Sequence, residues 1–327
     1  PQQSIRTLAN ITTPEKAYLK LSLSIVNTST SRILGPHTVE NAPRITDWLQ
    51  GILRDDHFLR EELRLTLLGE VLGFAYDGPS IDLAQPPATY GMLSCVWRES
   101  IHPYLAADEE AVPWTALCHR DIDGQPFIMP WIIDVGIESW VRRLLEVSIP
   151  PLIHYLYGYG IALESHAQNM ILVHRRGIPS RVVLKDFHDG IRFNPAFLSP
   201  SHTCPDLTPT PASFNRVNRN SYLKSNDPRE VRDFVLDAFF FINITELALF
   251  LANNFGFEEA RFWSLARSVI TSYQRRFPGL EERFKLFDLF EPTIQVEQLT
   301  KRRLVLDNVM RVHHVRNPLA LAKVEHR

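Results

Sequence analysis

The sequence has few cysteines, and the three that it has, Cys95, Cys118 and Cys204, lie far apart without a CxxC spacing. This pattern argues against a disulfide framework and a zinc site, and it favours a reducing cytoplasm as the place of action. The chain also lacks an excess of one charge, since its formal net charge is −2. Non-specific nucleic-acid binding needs surplus Lys and Arg, so we expect no nucleic-acid partner.

Uninterrupted hydrophobic runs long enough to cross a bilayer are also missing. The most apolar stretch, residues 234–255, is broken by Asp237, Asn243, Thr245 and Glu246, and a spanning helix needs about 20 predominantly apolar residues. We interpret this stretch as a buried helix and expect no membrane partner.

The order of the patterns predicts an α+β fold. Residues 19–25 alternate, with Lys20 among polar residues on one face and leucines on the other, which predicts a half-buried strand whose polar face either meets water or serves a site. Helical periods follow at residues 44–73, 138–147, 151–168, 228–254 and 258–277. We therefore expect an antiparallel β-containing region over residues 1–130 and a mostly helical region over residues 131–327.

Two polar blocks, ESHAQN (residues 164–169) and KDFHDG (residues 185–190), flank a predicted hairpin. Its strands are Met170 to His174 and Arg181 to Lys185, and antiparallel pairing brings Asn169 and Asp186 to the same end. An amide oxygen and a carboxylate suit Mg²⁺, and Glu164 would add a third oxygen. The alternative is that Asn169 and Asp186 only cap local structure through hydrogen bonds.

The layout Asn–strand–turn–strand–Asp also occurs in kinase-type phosphotransferases, where the two residues hold Mg²⁺ under ATP. Those enzymes place a base Asp shortly before the Asn, where this sequence has Ala167 and Gln168. A glycine-rich phosphate loop and a Walker sequence are also missing. Plain phosphoryl transfer is therefore disfavoured, although it stays an alternative.

Several motifs together resemble the NRPS-independent siderophore synthetases, the IucA/IucC family. They are SIRT at residues 4–7, KLSLSIVNTSTSR at residues 20–32, ESHAQN, KDFHDG and RNPL at residues 316–319. The resemblance spans nearly the whole chain, and the paired ESHAQN and KDFHDG blocks are its most specific part.

The resemblance implies a cupped-hand fold of thumb, fingers and palm. Because no thumb motif precedes Ser4 in this sequence, we expect the fingers and palm without the thumb. It also implies that ATP adenylates a carboxylate, typically of citrate, which an amine or alcohol then attacks. The implied partners are citrate or a similar polycarboxylate, a polyamine, amino acid or hydroxamate amine, and a second copy in a homodimer.

The resemblance also implies roles for single residues. Those expected to bind the nucleotide are Ser4, Arg6, Thr7, Lys20, His166, Gln168, Asn169 and Asp186. Those expected to contact the substrate are Thr28, Ser29, Arg32 and His166. The Mg²⁺ ligands would be Glu164, Asn169 and Asp186, and the catalytic residues would be His166, Lys20 and Arg32. For Arg6, Lys20 and Arg32 the competing interpretation is a solvated strand face.

Three functions remain open at this point. A siderophore synthetase would release AMP and pyrophosphate, whereas a kinase-like phosphotransferase would release ADP. A non-catalytic chain without the thumb would bind citrate or nucleotide without turning either over.

Overall fold

The computed structural model describes residues 1–27, 30–76, 90–211, 214, 223–298 and 312–322. It confirms the α+β class. The strands are β1 (Thr7–Leu8), β2 (Tyr18–Leu21), β3 (Val26–Asn27), β4 (Thr30–Ser31), β5 (Thr66–Leu68), β6 (Glu70–Ala75), β7 (Ser94–Arg98), β8 (Glu110–Pro113), β9 (Ile161–Leu163), β10 (Met170–Arg175), β11 (Ile178–Lys185), β12 (Ile191–Phe193), β13 (Thr293–Glu297) and β14 (Val312–Arg316). The helices are α1 (Pro36–Asp55), α2 (Met129–Val135), α3 (Ile137–His154), α4 (Pro228–Val235), α5 (Ile244–Phe255), α6 (Glu259–Arg276), α7 (Glu281–Leu286) and α8 (Pro318–Leu321).

One sheet has the strand order β1-β2-β7-β6, and all its neighbours are antiparallel. The side chains of β2 alternate as predicted, but the face that carries Lys20 is the buried one. Tyr18 and Lys20 are buried, whereas Leu19 and Leu21 are half-buried. The interpretation of Lys20 as part of a water-facing surface is therefore wrong, because its side chain points to the interior.

The second sheet has the order β5-β11-β10-β8 and contains the predicted hairpin, which is confirmed. Its turn is tight because Arg176 and Gly177 both adopt positive φ, at 48° and 81°. Strand β5 pairs with β11 in parallel, and β8 pairs with β10. This sheet thus joins strands from both sides of residue 130, and the boundary there remains a prediction.

Two of the predicted helices are wrong in part. The helix expected over residues 44–73 runs instead from Pro36 to Asp55, and β5 and β6 occupy the second half. Between the helix and β5, the backbone turns at Arg64, which has a positive φ of 51°. The helix expected over residues 151–168 ends in a π-helical turn at Tyr155–Tyr159, because Gly160 with φ of 73° leads into β9.

The main core lies where the hairpin sheet packs against α3 and where α3 packs against α6. The helical run Pro228–Phe255 is long and apolar enough to cross a membrane by length and composition. However, 56% of its most apolar window is buried inside the protein, with Phe239, Phe240 and Leu247 fully enclosed. This packing is that of a core helix, as the sequence indicated.

Candidate nucleotide and carboxylate site

Two strand pairs bring the polar blocks ESHAQN and KDFHDG together. The ESHAQN block connects β9 to β10, and the KDFHDG block connects β11 to β12. Because β9 pairs with β12 and β10 pairs with β11, both connections leave at the same end. The Glu164 N–H donates to the Gly190 carbonyl at 2.8 Å, which joins the two loops directly. The predicted proximity of the blocks is therefore confirmed.

The KDFHDG loop makes an unusually tight turn at Asp186. Asp186 has a φ of 76°, a left-handed conformation that L-residues other than Asn and Asp rarely adopt. A Cβ at Gly190 would lie 2.1 Å from the Asp186 carbonyl oxygen, so only glycine fits there. Strained backbone of this kind persists where surrounding contacts hold it, and it is frequent at functional sites.

Two buried cations hold the Asp186 carboxylate. Lys20 Nζ forms an ion pair with Oδ1, and Arg98 Nη2 donates to the same oxygen at 2.9 Å. Burial alone would raise the pKa of Asp186, but the charges of Lys20 and Arg98 hold it well below the ordinary value. Asp186 is therefore an anion, and its side chain remains 26% exposed toward the outside.

Behind Asp186 lies a second carboxylate, Glu70, which is fully buried. Glu70 Oε1 accepts from Arg98 Nη2 at 3.2 Å and from His188 Nδ1 at 2.7 Å. Its Oε2 accepts from the Phe187 and His188 N–H groups at 3.3 and 3.0 Å. Burial would raise the pKa of Glu70, but His188 and Arg98 lower it to about 2.

The two lysines of the site are also buried. Burial lowers the pKa of Lys20 to about 8, although Asp186 opposes this shift. Burial and the charge of Arg98 lower the pKa of Lys185 to about 7, and Lys185 Nζ donates to Gln3 Oε1 at 3.0 Å. A desolvated cation interacts strongly with an incoming anion, because little water competes with it.

The ESHAQN loop presents oxygen atoms and an imidazole beside this cluster. The Asn169 amide nitrogen donates to the Glu164 carbonyl at 3.0 Å and faces the Glu164 carboxylate at 3.4 Å, which turns its Oδ1 away from Glu164. His166 Nε2 lies 3.9 Å from Glu164 Oε2, and the His166 side chain is 30% exposed. Gln168 is exposed. The loop thus groups four of the predicted residues.

The N-terminal motif SIRT approaches from the other side. Arg6 donates to the carbonyl oxygen of Arg32, so these two predicted residues touch. Burial lowers the pKa of Arg6, and the negative charges of Asp186 and Asp189 partly oppose this shift. Thr7 is buried opposite Lys20, and the Ser4 carbonyl accepts from the Thr7 N–H at 3.1 Å. Thr28 and Ser29, predicted to contact substrate, lie outside the described residues.

Glu70, Asp186 and His188 have ligand atoms within 4.8 Å of one another, a spacing that would suit a metal ion. Lys20 and Arg98 already contact these same atoms. Two carboxylates then face two fixed cations, so the cluster is balanced as an ion-pair network. A divalent cation would need one of the cations to leave.

The sequence did not single out Glu70 or Arg98, which complete this network. Each lies at one end of a mostly apolar strand, and a charge at that place was their only signal. The RNPL motif, by contrast, has a structural role in this chain. Asn317 is fully buried, caps α8 by accepting from the Leu319 N–H at 3.0 Å, and donates to the carbonyls of Leu289 and Glu291.

Two family models match consecutive parts of the chain. Residues 1–119 match the IucA / IucC family, and residues 138–312 match a family described as ferric iron reductase FhuF-like transporter. Single relatives match both parts at once, so the two models describe successive regions of one kind of chain.

Similar proteins are siderophore synthases and ligases. The citryl-spermidine/3,4-dihydroxybenzoyl-citryl-spermidine:spermidine ligase of Bacillus anthracis is 44% identical over 98% of this chain and 52% of its own length. A Staphylococcus aureus synthase, whose product is named as a carbamoyl-substituted 2-hydroxypropanoate, is 49% identical over 99% of this chain and 52% of its own length. This chain therefore spans about half the length of the curated relatives that it matches.

Solved structures agree. The petrobactin biosynthesis protein AsbB of Bacillus anthracis matches with a TM-score of 0.89 at 42% identity, over 98% of this chain and 53% of AsbB. The aerobactin synthetase IucC of Klebsiella pneumoniae matches with a TM-score of 0.76 at 26% identity, over 98% of this chain and 53% of IucC. Fold, motifs and sequence similarity coincide, and the chain belongs to the IucA/IucC family of NRPS-independent siderophore synthetases.

Proposed function

We propose that this chain carries the nucleotide and carboxylate site of a siderophore synthetase that uses ATP to adenylate a carboxylate of citrate. The adenylation step would release pyrophosphate, and an amine or alcohol would then attack the acyl adenylate and release AMP. The observation that carries this proposal is the set of cations around Asp186, where Lys20, Arg98 and Arg6 converge on the two family loops.

The charges fit the chemistry. Citrate has three carboxylates and ATP about four negative charges, so fixed cations must offset their repulsion. Arg6, Lys20 and Arg32 supply them, and a guanidinium presents a bidentate fork to phosphate or carboxylate. Because the reacting groups need alignment and charge stabilisation more than a strong base, cations on rigid strands suit this reaction.

The residues also fit Mg²⁺, which prefers carboxylate and amide oxygens. Glu164, Asn169 and Asp186 would hold it. The Asn169 amide nitrogen faces the Glu164 carboxylate, so the amide would rotate to present its oxygen to the ion. The ion would neutralise phosphate charge when bound. Lys20, which pairs with Asp186, would be the residue that contacts the phosphates.

We propose for the remaining residues the roles that the family motifs imply. His166 is partly exposed on the ESHAQN loop and would donate a hydrogen bond to the attacked carboxylate or to the leaving group. Gln168 next to it would contact the acyl-phosphate region. Thr28, Ser29 and Arg32 would contact the polycarboxylate.

The names of the relatives guide the choice of partners. They name citryl-spermidine and spermidine for one ligase and an ornithine–citrate ligation for another. We propose citrate or a citryl conjugate as the acid, and a polyamine or amino-acid amine as the nucleophile. We also propose a homodimer that works in the cytoplasm, where ATP is available.

A pyrophosphate-release assay with ATP, Mg²⁺, citrate and hydroxylamine as surrogate nucleophile tests the proposal. We expect citrate-dependent pyrophosphate from this chain and none from Asp186→Ala. The matched control is Asp108→Ala, which removes a surface carboxylate that pairs with Arg175 and should leave the rate unchanged.

Other products would contradict the proposal. Release of ADP instead of pyrophosphate would favour a kinase-like phosphotransferase. Binding of ATP or citrate without any turnover would assign this chain a ligand-binding role only.

A further inference from the structure

We propose that Glu70 is the positioning residue of this site, fixing Lys20 and Asp186 through His188 and Arg98. The inference rests on the proposed function only for the ligand, ATP, that Lys20 and Asp186 would contact. Its geometry stands on the buried contacts alone, and Glu70 itself lies behind the groups that would touch the nucleotide.

The first contact set anchors the loop backbone. Glu70 Oε2 accepts from the consecutive N–H groups of Phe187 and His188. These residues directly follow Asp186, whose backbone has the left-handed φ of 76°. A buried carboxylate that accepts two backbone N–H groups holds a loop in a conformation that the chain would otherwise leave.

The second contact set fixes the His188 ring. Lys20 Nζ lies 3.2 Å from His188 Nε2. An ammonium group only donates hydrogen bonds, so Nε2 must accept and the ring proton must be on Nδ1. Glu70 Oε1 lies 2.7 Å from that Nδ1 and accepts the proton's hydrogen bond. Glu70 thus selects the tautomer that orients Lys20.

The third contact set fixes Arg98. The same Arg98 nitrogen donates to Glu70 at 3.2 Å and to Asp186 at 2.9 Å. Arg98 is 1% exposed, so its guanidinium has no alternative partner in water. Glu70 therefore determines where the positive charge of Arg98 meets Asp186.

A glutamine at position 70 is a sharp probe of this arrangement. Glu70 faces donors on both oxygens, and a glutamine offers one acceptor oxygen and one amide nitrogen. In every rotamer the amide N–H₂ would then face either the backbone N–H groups or the His188 and Arg98 donors. The substitution keeps the volume and removes the function of the carboxylate.

The first test is the tautomer of His188, measured as the imidazole ¹⁵N chemical shifts of histidine-labelled full chain at pH 7 without nucleotide. The His188 signals are assigned by their loss in His188→Asn. We expect protonated Nδ1 and unprotonated Nε2 in the parent chain, and loss of that single tautomer in Glu70→Gln. Unchanged His188 shifts in Glu70→Gln would overturn the proposal.

The second test is ATP binding by titration calorimetry with Mg²⁺. We expect Glu70→Gln to weaken ATP binding at least tenfold. The matched control Asp56→Asn makes the same chemical change at another carboxylate that contacts an imidazole, and it should change binding by less than twofold. Equal weakening by both variants would overturn the proposal in favour of a general loss of stability.

A further variant covers the case in which Glu70→Gln does not fold. His188→Asn keeps a donor for Glu70 and removes the acceptor for Lys20, so it should weaken ATP binding as Glu70→Gln would. Undiminished binding would overturn the proposal. If the parent chain keeps the His188 tautomer but binds no ATP, the proposed function fails while the positioning by Glu70 stands.

Discussion

Two of the carboxylate–imidazole pairs among the described residues, Asp56–His154 and Glu70–His188, are largely buried, and they differ in what the imidazole contacts on its far side. In the pair Asp56–His154, His154 Nε2 lies 2.9 Å from Asp56 Oδ2, and the Tyr273 hydroxyl lies 2.7 Å from His154 Nδ1. In the pair Glu70–His188, the far nitrogen faces the ammonium of Lys20. The first pair ends on a neutral phenol and the second on a charge.

Their positions differ as well. Asp56 follows the last residue of α1 and connects that helix to α3 and α6. The first turn of α1 lies near the KDFHDG loop: burial lowers the pKa of His37 there, and the charge of Asp189 partly opposes this shift. The helix has 20 residues, so Asp56 at its other end lies about 30 Å from that turn. A carboxylate–imidazole pair alone therefore does not indicate function, because the same contact holds helices together in one place and orients a cation in the other.

The largest expected effect is on the charged pair. We expect Lys20→Met to lower the kcat/KM for ATP in the pyrophosphate assay by about 100- to 1,000-fold, because a preorganised cation opposite the phosphates is lost. The free energy of unfolding should fall by about 3 kcal/mol as well, because methionine leaves one carboxylate of the buried network without its cation. Urea unfolding measures this second value, and the same loss of stability with an unchanged kcat/KM would show that Lys20 is only structural.

The next effect concerns the helix-locking pair. We expect Asp56→Asn to lower the free energy of unfolding by about 2 kcal/mol, because the variant loses charge-assisted hydrogen bonds to His154 and Tyr159. Its kcat/KM should stay within twofold of the parent. A variant that unfolds normally but turns over slowly would contradict the contrast between the two pairs.

The pH dependence sharpens the same contrast. Burial would raise the pKa of Asp56, but the hydrogen bonds from His154 and Tyr159 hold it well below its ordinary 3.8. A lowered carboxyl pKa stabilises the fold above the ordinary value, and this contribution is lost as the pH falls below it. The stability difference between parent and Asp56→Asn should therefore be constant from pH 7 to 5 and shrink below about pH 4, as urea titrations at each pH would show.

The smallest effect is expected at the neutral end of that pair. Tyr273→Phe removes the hydroxyl that is hydrogen-bonded to His154 Nδ1 and should cost about 1 kcal/mol of unfolding free energy without changing ATP binding. Calorimetric unfolding compared with nucleotide titration would measure both. An effect on binding would mean that the two pairs are coupled.

The sequence was sufficient for the hairpin, the α+β class and the pairing of the two polar loops, because these depend on local alternation, turn residues and motifs. It also identified Lys20 and Asp186, whose side chains meet. The leucines at residues 63–68 mimic a helical period, so tertiary pairing of β5 with β11 overrode a local signal. Glu70 and Arg98 were missed because their partners are set by long-range strand packing, which no local window contains.

The separation of the partners along the chain has a consequence for folding. The hairpin closes through neighbouring residues, whereas Lys20 and Asp186 are 166 positions apart, so loop closure makes their encounter one of the later events. Until that encounter, Lys20 has no carboxylate partner in the site, whereas Glu70 and Arg98 already meet across the adjacent strands β6 and β7. A nucleotide that binds only the finished arrangement would stabilise completed chains by mass action, so ligand occupancy would report that folding has reached its end.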